Sequence, residues 1–333
     1  MKFKKILFVG HSLSTFAPNI FNNLRMFAND VLMFDHYSPD VWSKFLGLLK
    51  NKIVDLRFVD KIINEYINTA FTTTVLKYQP NIIFLFKCKN IYPETIKKLR
   101  NKGFIIVNWY PDYYDDWQWI RTHAKNYDYF FTPCEYVLKK LKEIKVTAYY
   151  IPFASEPDTE YVTKPKKYQA TFVGRFTARR SQLFKKVFDA DLLDIWGYRH
   201  WQTSKFNSKY HGEITPSQTL EIIRNSKITL NTLTGTDDTP IMSVNYRVFE
   251  ATGVGGFVLT SYHPPLEKFY KIGKEIEIFK SAEEALAKTR FYLKHDTLRE
   301  KIARAGWERT KRDHTYLIRL RKLFSYIDSS LDF

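Results

Sequence analysis

The sequence predicts an α/β chain made of two doubly wound halves that meet at a cleft, each half a parallel sheet flanked by helices. Three observations carry this expectation. Short apolar runs alternate with helix-length amphipathic runs as far as residue 151. The chain then turns polar and proline-bearing over 155–167 (SEPDTEYVTKPKK), the composition of a linker. Beyond it a second alternating series begins.

In the first half the strand-like runs are 5–9, 30–34, 81–86, 104–109, 127–132 and 147–151, with helical runs at 20–27, 60–78, 93–101 and 134–144. Four to six apolar residues followed by a helix is how a buried parallel strand and its crossover read. The second half repeats the pattern: strand 169–173, helix 179–188, strand 192–196, helix 216–225, strand 228–231, helix 246–252 and strand 257–260. From 282 to 330 the chain is helical, with Lys or Arg at 299, 301, 304, 309, 311, 312, 319, 321 and 322. Leu293, Leu298, Ile302, Trp307, Leu317, Leu320 and Phe324 give this tail an apolar stripe for docking. Part of its charge is ordinary solvation.

Composition excludes several classes. At 333 residues the chain is long enough for two cores, and 44% hydrophobic with 17% aromatic residues excludes wholesale disorder. No stretch of about 18 apolar residues is present to span a membrane. The opening MKFKKILFVGHS is charged like a signal peptide, but its apolar run 6–9 is too short for one and reads as a buried first strand. A cytoplasmic protein is expected, with peripheral attachment to the inner membrane face open. Cys88 and Cys134 lack metal-site spacing and are expected as reduced thiols. Fifty-two Lys plus Arg against 35 Asp plus Glu leave a net charge of +17, which favours an anionic partner: nucleotide, nucleic acid or acidic membrane. Solvated basic faces are the competing explanation.

Two glycine turns end first strands, where doubly wound sheets place ligands: Gly10-His11-Ser12 and Gly174-Arg175. The second runs through Phe176-Thr177-Ala178-Arg179-Arg180 into a helix, so that backbone amides and guanidinium groups can clamp a diphosphate. Neither turn is a GxGxxG or Walker fingerprint. Gly253–Gly256 lies between a helix and a strand and reads as a helix C-cap with a tight turn. Asn245-Tyr246-Arg247-Val248-Phe249-Glu250 brings Asn, Arg and Glu together ahead of that turn. Glu250 there can accept both ribose hydroxyls while Arg247 meets phosphate, or the two can form an intrahelical ion pair.

Residues 168–324 resemble the glycosyltransferase-like module of the CgeB spore-maturation type, related to the group-one glycosyltransferases of the GT-B fold. Five blocks carry the resemblance in order: YQATFVGRFTARR, LDIWGY, HGEITPSQTLEIIRNSKITLNT, NYRVFEATGVGGFVLT and AGWERTKRDHTYLIRLRKLF. The resemblance implies two Rossmann-like domains facing a cleft. The first is an acceptor-side domain at 1–160, the second a nucleotide-sugar domain at 161–312. A C-terminal helix at 313–333 returns to the first domain. It implies that Arg175 and Arg180 hold the donor diphosphate beside Gly174. Trp196, Gly197 and the Gly212-Glu213-Ile214 segment would grip the base, and Glu250 the ribose. The family's first glutamate, separated from Glu250 by seven intervening residues, falls at Met242 here, so stereochemistry is not inherited.

For the acceptor proton, the resemblance implies that an inverting enzyme would place an Asp, Glu or His on the N-terminal side of the cleft. Asp112 after the fourth strand ranks first and His11 after the first strand second. Nearby aromatics (Trp109, Tyr110, Tyr113, Tyr114, Trp117, Trp119) can stack on sugars or simply fill a core. Asp112, Asp115 and Asp116 lack Asp-x-Asp spacing and Asp237-Asp238 are adjacent, so no obligatory metal or other cofactor is expected. The implied activity is transfer of a sugar from a nucleoside-diphosphate sugar to a hydroxyl on a glycan, lipid-linked or protein acceptor. The alternatives are a basic nucleic-acid-binding protein, which lacks any recognition motif, a DNA-modifying glycosyltransferase, and a module that binds nucleotide sugar without turnover.

Overall fold

The structure, a computed structural model, describes residues 2–37, 56–112, 116–232 and 243–328. Met242, Tyr113, Tyr114, Asp115, Asp237 and Asp238 therefore lie outside the described residues. The chain forms two compact units, Met1–Pro152 with Arg319–Phe333, and Phe153–Ile318.

In the first unit, strands β1 (Phe3–Gly10), β2 (Ala28–Asp35), β3 (Ile82–Phe86), β4 (Ile105–Trp109), β5 (Tyr129–Thr132) and β6 (Tyr149–Tyr150) form one sheet in the order β2-β1-β3-β4-β5-β6. Every pair is parallel, with Ile6 opposite both Val31 and Ile82. The intervening helices are α1 (Ala17–Leu24), α2 (Leu56–Tyr78), α3 (Pro93–Arg100), α4 (Trp117–His123) and α5 (Glu135–Glu143). Ile82, Ile83, Phe84 and Leu85 are fully buried, as strands covered on both faces require. Helix α2 buries Ile67, Phe71 and Val75, spaced four apart on one stripe. The first helix begins and ends three residues earlier than the sequence predicts: Pro18 suits its first turn, and Phe27 and Ala28 are already committed to the approach to β2.

The second unit carries β7 (Tyr168–Val173), β8 (Leu193–Trp196), β9 (Ser226–Asn231), β10 (Val258–Ser261) and β11 (Glu277–Phe279), ordered β11-β10-β9-β7-β8 and again all parallel. Its helices are α6 (Ala178–Asp189), α7 (Pro216–Arg224), α8 (Tyr246–Gly253), α9 (Ala282–Lys294) and α10 (Asp296–Asp313). Local signals set several starts. Thr215 and Gln218 form a reciprocal capping box ahead of Pro216, and Ser281 caps α9 by accepting from the Glu284 amide. The core gathers around Phe172, Phe184, Ile195, Trp201, Leu230 and Leu259.

Residues 153–167 are not a free linker. The Ser155 amide donates to the His314 carbonyl at 2.9 Å, and Arg224 holds the Asp158 carboxylate through two bonds of 2.6 and 2.8 Å. The Trp307 indole donates to the Asp158 carbonyl at 3.2 Å. A side chain at Gly253 would strike Ser155, so this glycine lets the segment lie against α8. As read from sequence, the glycine run caps that helix: the Gly256 amide returns to the Ala251 carbonyl at 2.8 Å and Gly255 takes a φ of +72°.

The last helix, α11 (Tyr316–Ser325), begins in the second unit and ends in the first. Leu320, Leu323 and Phe324 are fully buried, and the Phe324 ring lies 5.0 Å from Phe27 and 5.3 Å from Phe3. Of the expected tail stripe, Leu298 is the exception, 39% exposed on the solvent side of α10. Much of the tail's charge serves packing: Arg299 and Arg319 are buried, and Arg309 donates to the Phe269 carbonyl at 3.0 Å. Both cysteines are buried free thiols. Among the described residues no helix is long and apolar enough to cross a membrane.

Candidate functional site

Chain order reverses between β1 and β3 in the first sheet and between β7 and β9 in the second, and each reversal opens a crevice at the strand C-termini. The candidate residues divide between these two edges.

At the second edge, Gly174 ends β7 and Thr177 caps α6, its hydroxyl accepting from the Arg180 amide at 3.2 Å. Arg180 folds back beneath this turn. Its Nη1 donates to the Arg175 carbonyl at 2.7 Å, and its guanidinium lies 5.2 Å from the centre of the Phe172 ring. The side chain is only 8% exposed, and its Nε has no hydrogen-bond partner among the described residues. Burial, joined by the charges of Arg175 and Arg247, lowers its pKa to about 10. A buried cation flanked by two other cations favours a counter-anion, which makes this turn a candidate anion site.

The turn is pinned from behind. The Trp201 indole donates to the Gly174 carbonyl at 2.8 Å, and the Gly197 amide donates to the Gly212 carbonyl at 3.0 Å. Gly197 adopts a φ of +131°, and a Cβ there would overlap the Gly174 carbonyl oxygen. The Trp196 ring is mostly buried, stacked 4.5 Å from His211 and packed with Val173 and Ile222, with Ile214 against the same group.

Helix α8 supplies the other candidates. Asn245, before its first turn, donates to Asn231 Oδ1 at 3.1 Å and to the Thr232 carbonyl at 3.2 Å, fixing the end of β9. Arg247 Nη1 pairs with Glu250 Oε2, the intrahelical alternative weighed above. Glu250 is 2% exposed; burial raises its pKa, against the opposing pull of Arg247 and a hydrogen bond from Tyr246. Gly174, Arg175, Arg180, Arg247 and Glu250 thus share one neighbourhood, while Trp196 and Ile214 form a packed group beside it. Sequence reasoning missed Trp201, visible only as one aromatic among many, and Asn231, signalled by a polar residue closing the run ITLN.

At the first edge, His11 and Asp112 follow β1 and β4, the two neighbours of β3. His11 Nδ1 is 3.6 Å from Asp35 Oδ1, too long for a hydrogen bond, and the ring is 36% exposed. Asp35 accepts from the Ser12 and Tyr37 amides at 2.9 Å each and from the Ser12 hydroxyl. Burial would raise its carboxyl, but these bonds and His11 outweigh it and hold the pKa low. Asp112 is paired with Lys87, both side chains roughly half exposed. Lys89 and the Tyr110 hydroxyl, the latter at 2.6 Å, hold the neighbouring Asp116. Lys87 and Cys88 take φ values of +69° and +55°, two successive left-handed residues at the end of β3. Backbone strain of this kind concentrates at working sites. Among the described residues no three His, Cys, Asp or Glu side chains converge as metal ligands.

His36, behind this edge, is 4% exposed and bonded through Nδ1 to Asn90 Oδ1 at 2.5 Å. Burial lowers its pKa to about 4, opposed by Asn90 and Asp35. A depressed histidine is neutral when folded, so its contribution is present above pH 6.5 and is lost as pH falls through the 6.5-to-4 window. The expected loss is about 3 kcal/mol, and His36→Gln removes it from the difference between urea-denaturation curves at pH 7 and pH 4.

Residues 179–325 match a family model described as glycosyl transferase-like. Comparison of the sequence with curated proteins finds no match. Among solved structures, the chain resembles sucrose-phosphate synthase from Thermosynechococcus elongatus (TM-score 0.68, 13% identity), covering 98% of this chain and 100% of the other. It also resembles an α-glucosyltransferase in complex with UDP-glucose and DNA containing an abasic site (TM-score 0.63, 12% identity; 98% and 100% covered). HepE from Anabaena, in complex with UDP and glucose, is similar at TM-score 0.59 and 10% identity, with 98% and 100% covered. The two-unit α/β architecture is that of the GT-B glycosyltransferases.

Proposed function

We propose that this protein transfers a sugar from a nucleoside-diphosphate sugar to a hydroxyl acceptor, with the second unit binding the donor. The observation that carries this reading is Arg180: a buried guanidinium with no carboxylate partner among the described residues, under a glycine turn at a helix start, inside the segment that matches the glycosyl transferase-like model. A diphosphate supplies the missing charge. Arg175 is exposed at the turn and approaches the phosphates from solvent, while Arg180 acts from beneath. Glu250 takes the ribose hydroxyls, for which a deeply buried carboxylate held by Arg247 is suited. The guanidinium groups stabilise the charge that leaves with the nucleotide, so the reaction needs no bound metal.

For the acceptor proton we favour His11 over Asp112. Asp35 lies where it can orient the imidazole and stabilise its protonated form, and a slightly long contact of this type tightens in a loaded complex. Asp112 is already engaged by Lys87. The acceptor is a glycan, lipid-linked or protein hydroxyl.

The test is a thermal-shift panel of nucleoside diphosphates and their glucose conjugates, run in EDTA, followed by turnover assays. A ligand at 100 times its Kd stabilises by about 2.7 kcal/mol, or roughly 2–4 °C. A base-selective shift in EDTA is expected. His11→Ala keeps that shift and lowers kcat by about 100-fold or more. No shift with any nucleotide would defeat the donor assignment, and a shift without turnover would leave a binding module.

A further inference from the structure

We propose that the C-terminal end of α5, with the loop that follows it, is a docking face for anionic membrane lipid. Helix α5 packs Val137 and Leu141 inward and turns Lys139 and Lys142 outward. The chain then bends through Lys145, at a φ of +57°, into Val146–Ala148 ahead of the edge strand β6. These three lysines rim an open groove of about 450 Å³ whose floor is Leu138, Val146 and Ala148, and no carboxylate lines it. Ile144 stands beside it, 46% exposed.

These lysines contrast with the cations that are tied into the fold. Lys140, on the same helix, is paired with Glu143 at 3.0 Å. Arg299 and Arg309 are bonded into the packing of the second unit. Lys139, Lys142 and Lys145 make no ion pair with the described residues. A favourable interaction with the helix dipole accounts for Lys142, but not for Lys145 beyond the helix end or for an exposed isoleucine among them. Three unpaired ammonium groups around an apolar floor complement a surface with anionic headgroups above acyl chains. The lysines meet phosphate oxygens, and Ile144 enters the headgroup–acyl boundary. Nucleic acid would use the charge but leaves the isoleucine and the apolar floor unused.

The inference does not depend on the glycosyl-transfer reading, because binding is measured directly. The full chain is co-sedimented with vesicles of phosphatidylcholine alone and with vesicles containing about a third phosphatidylglycerol. Binding to the anionic vesicles only is expected. Each lysine near an anionic surface strengthens binding about fivefold, so the Lys139→Gln/Lys142→Gln/Lys145→Gln variant lowers the partition coefficient by about 100-fold. All three side chains are exposed, so the melting temperature is unchanged. Ile144→Asp weakens the binding that persists at high ionic strength, where screening removes the electrostatic part. Equal binding to both vesicle types, or anionic binding untouched by the triple variant, overturns the proposal. So does duplex DNA that competes fully with the vesicles and whose own binding is insensitive to Ile144→Asp.

Discussion

Arg180→Met lowers kcat/KM for sugar transfer by about 100- to 1000-fold while leaving the melting temperature unchanged or higher. The two halves of this expectation have one cause. In the unliganded protein Arg180 is a desolvated cation that receives repulsion from Arg175 and Arg247 and, among the described residues, gains a hydrogen bond to the Arg175 carbonyl and the Phe172 ring face. Methionine keeps most of the volume and removes the charge, a replacement that is often neutral or stabilising for buried ions. On the proposed reading the same charge meets the developing diphosphate once the donor is bound, where loss of one electrostatic donor costs about 2.7–4 kcal/mol of transition-state stabilisation. Donor affinity and turnover fall while stability holds. Arg180→Lys restores part of the rate, because an ammonium supplies charge without the planar fork. Steady-state kinetics beside calorimetry check both halves, and a variant that simply unfolds would refute this account of Arg180.

Gly197→Ala destabilises the second unit by about 2–4 kcal/mol and weakens donor binding with it. Two effects combine. The backbone sits at φ +131°, which an L side chain rarely adopts, and the added Cβ overlaps the Gly174 carbonyl. That carbonyl is the acceptor for the Trp201 indole, so relieving the overlap moves the turn over Arg180. Gly212→Ala is the control: φ is +100° but nothing lies within 4 Å of its Cβ, so it carries strain without collision. The expected order of melting temperatures is wild type, then Gly212→Ala, then Gly197→Ala, and only the last loses nucleotide affinity beyond its stability change. Differential scanning calorimetry with and without nucleoside diphosphate measures both.

The sheets were legible in the sequence because parallel strands covered on both faces are nearly continuous apolar runs, and ILFV, IIFLF and ITL read that way. Strand β11 was not, since Glu277–Phe279 is only three residues long and opens with a glutamate. Its carboxylate is buried by bonds to Tyr292 and Lys288, a tertiary arrangement no local pattern announces. Residues 155–167 were read as a linker from polarity alone. Their polar groups are instead spent on Arg224, His314 and Trp307, residues 66 to 159 positions away. At the candidate site, Arg175, Arg180, Arg247 and Glu250 stood out in the sequence because charge beside a glycine turn is a local signal. Trp201 was invisible because its role is one indole bond to a carbonyl 27 residues earlier. The relation of His11 to Asp35, and of Asp112 to Lys87, also depends on strand order rather than spacing.

The path of α11 sets an order for events during synthesis. Residues 1–152 leave the ribosome first, yet the apolar side of their sheet is completed by Leu320, Leu323 and Phe324 at the far end of the chain. Translation at about 5–20 residues per second puts on the order of 10–30 s between the two events. During that interval Phe3, Phe27 and Phe84 lack the ring that covers them. The second unit, Phe153–Ile318, is contiguous in the chain and can close while the nascent first unit waits. The portion made earliest is therefore the last to be finished, and a chain stopped before Arg319 would carry a folded second unit beside a first unit whose Phe3, Phe27 and Phe84 stay uncovered.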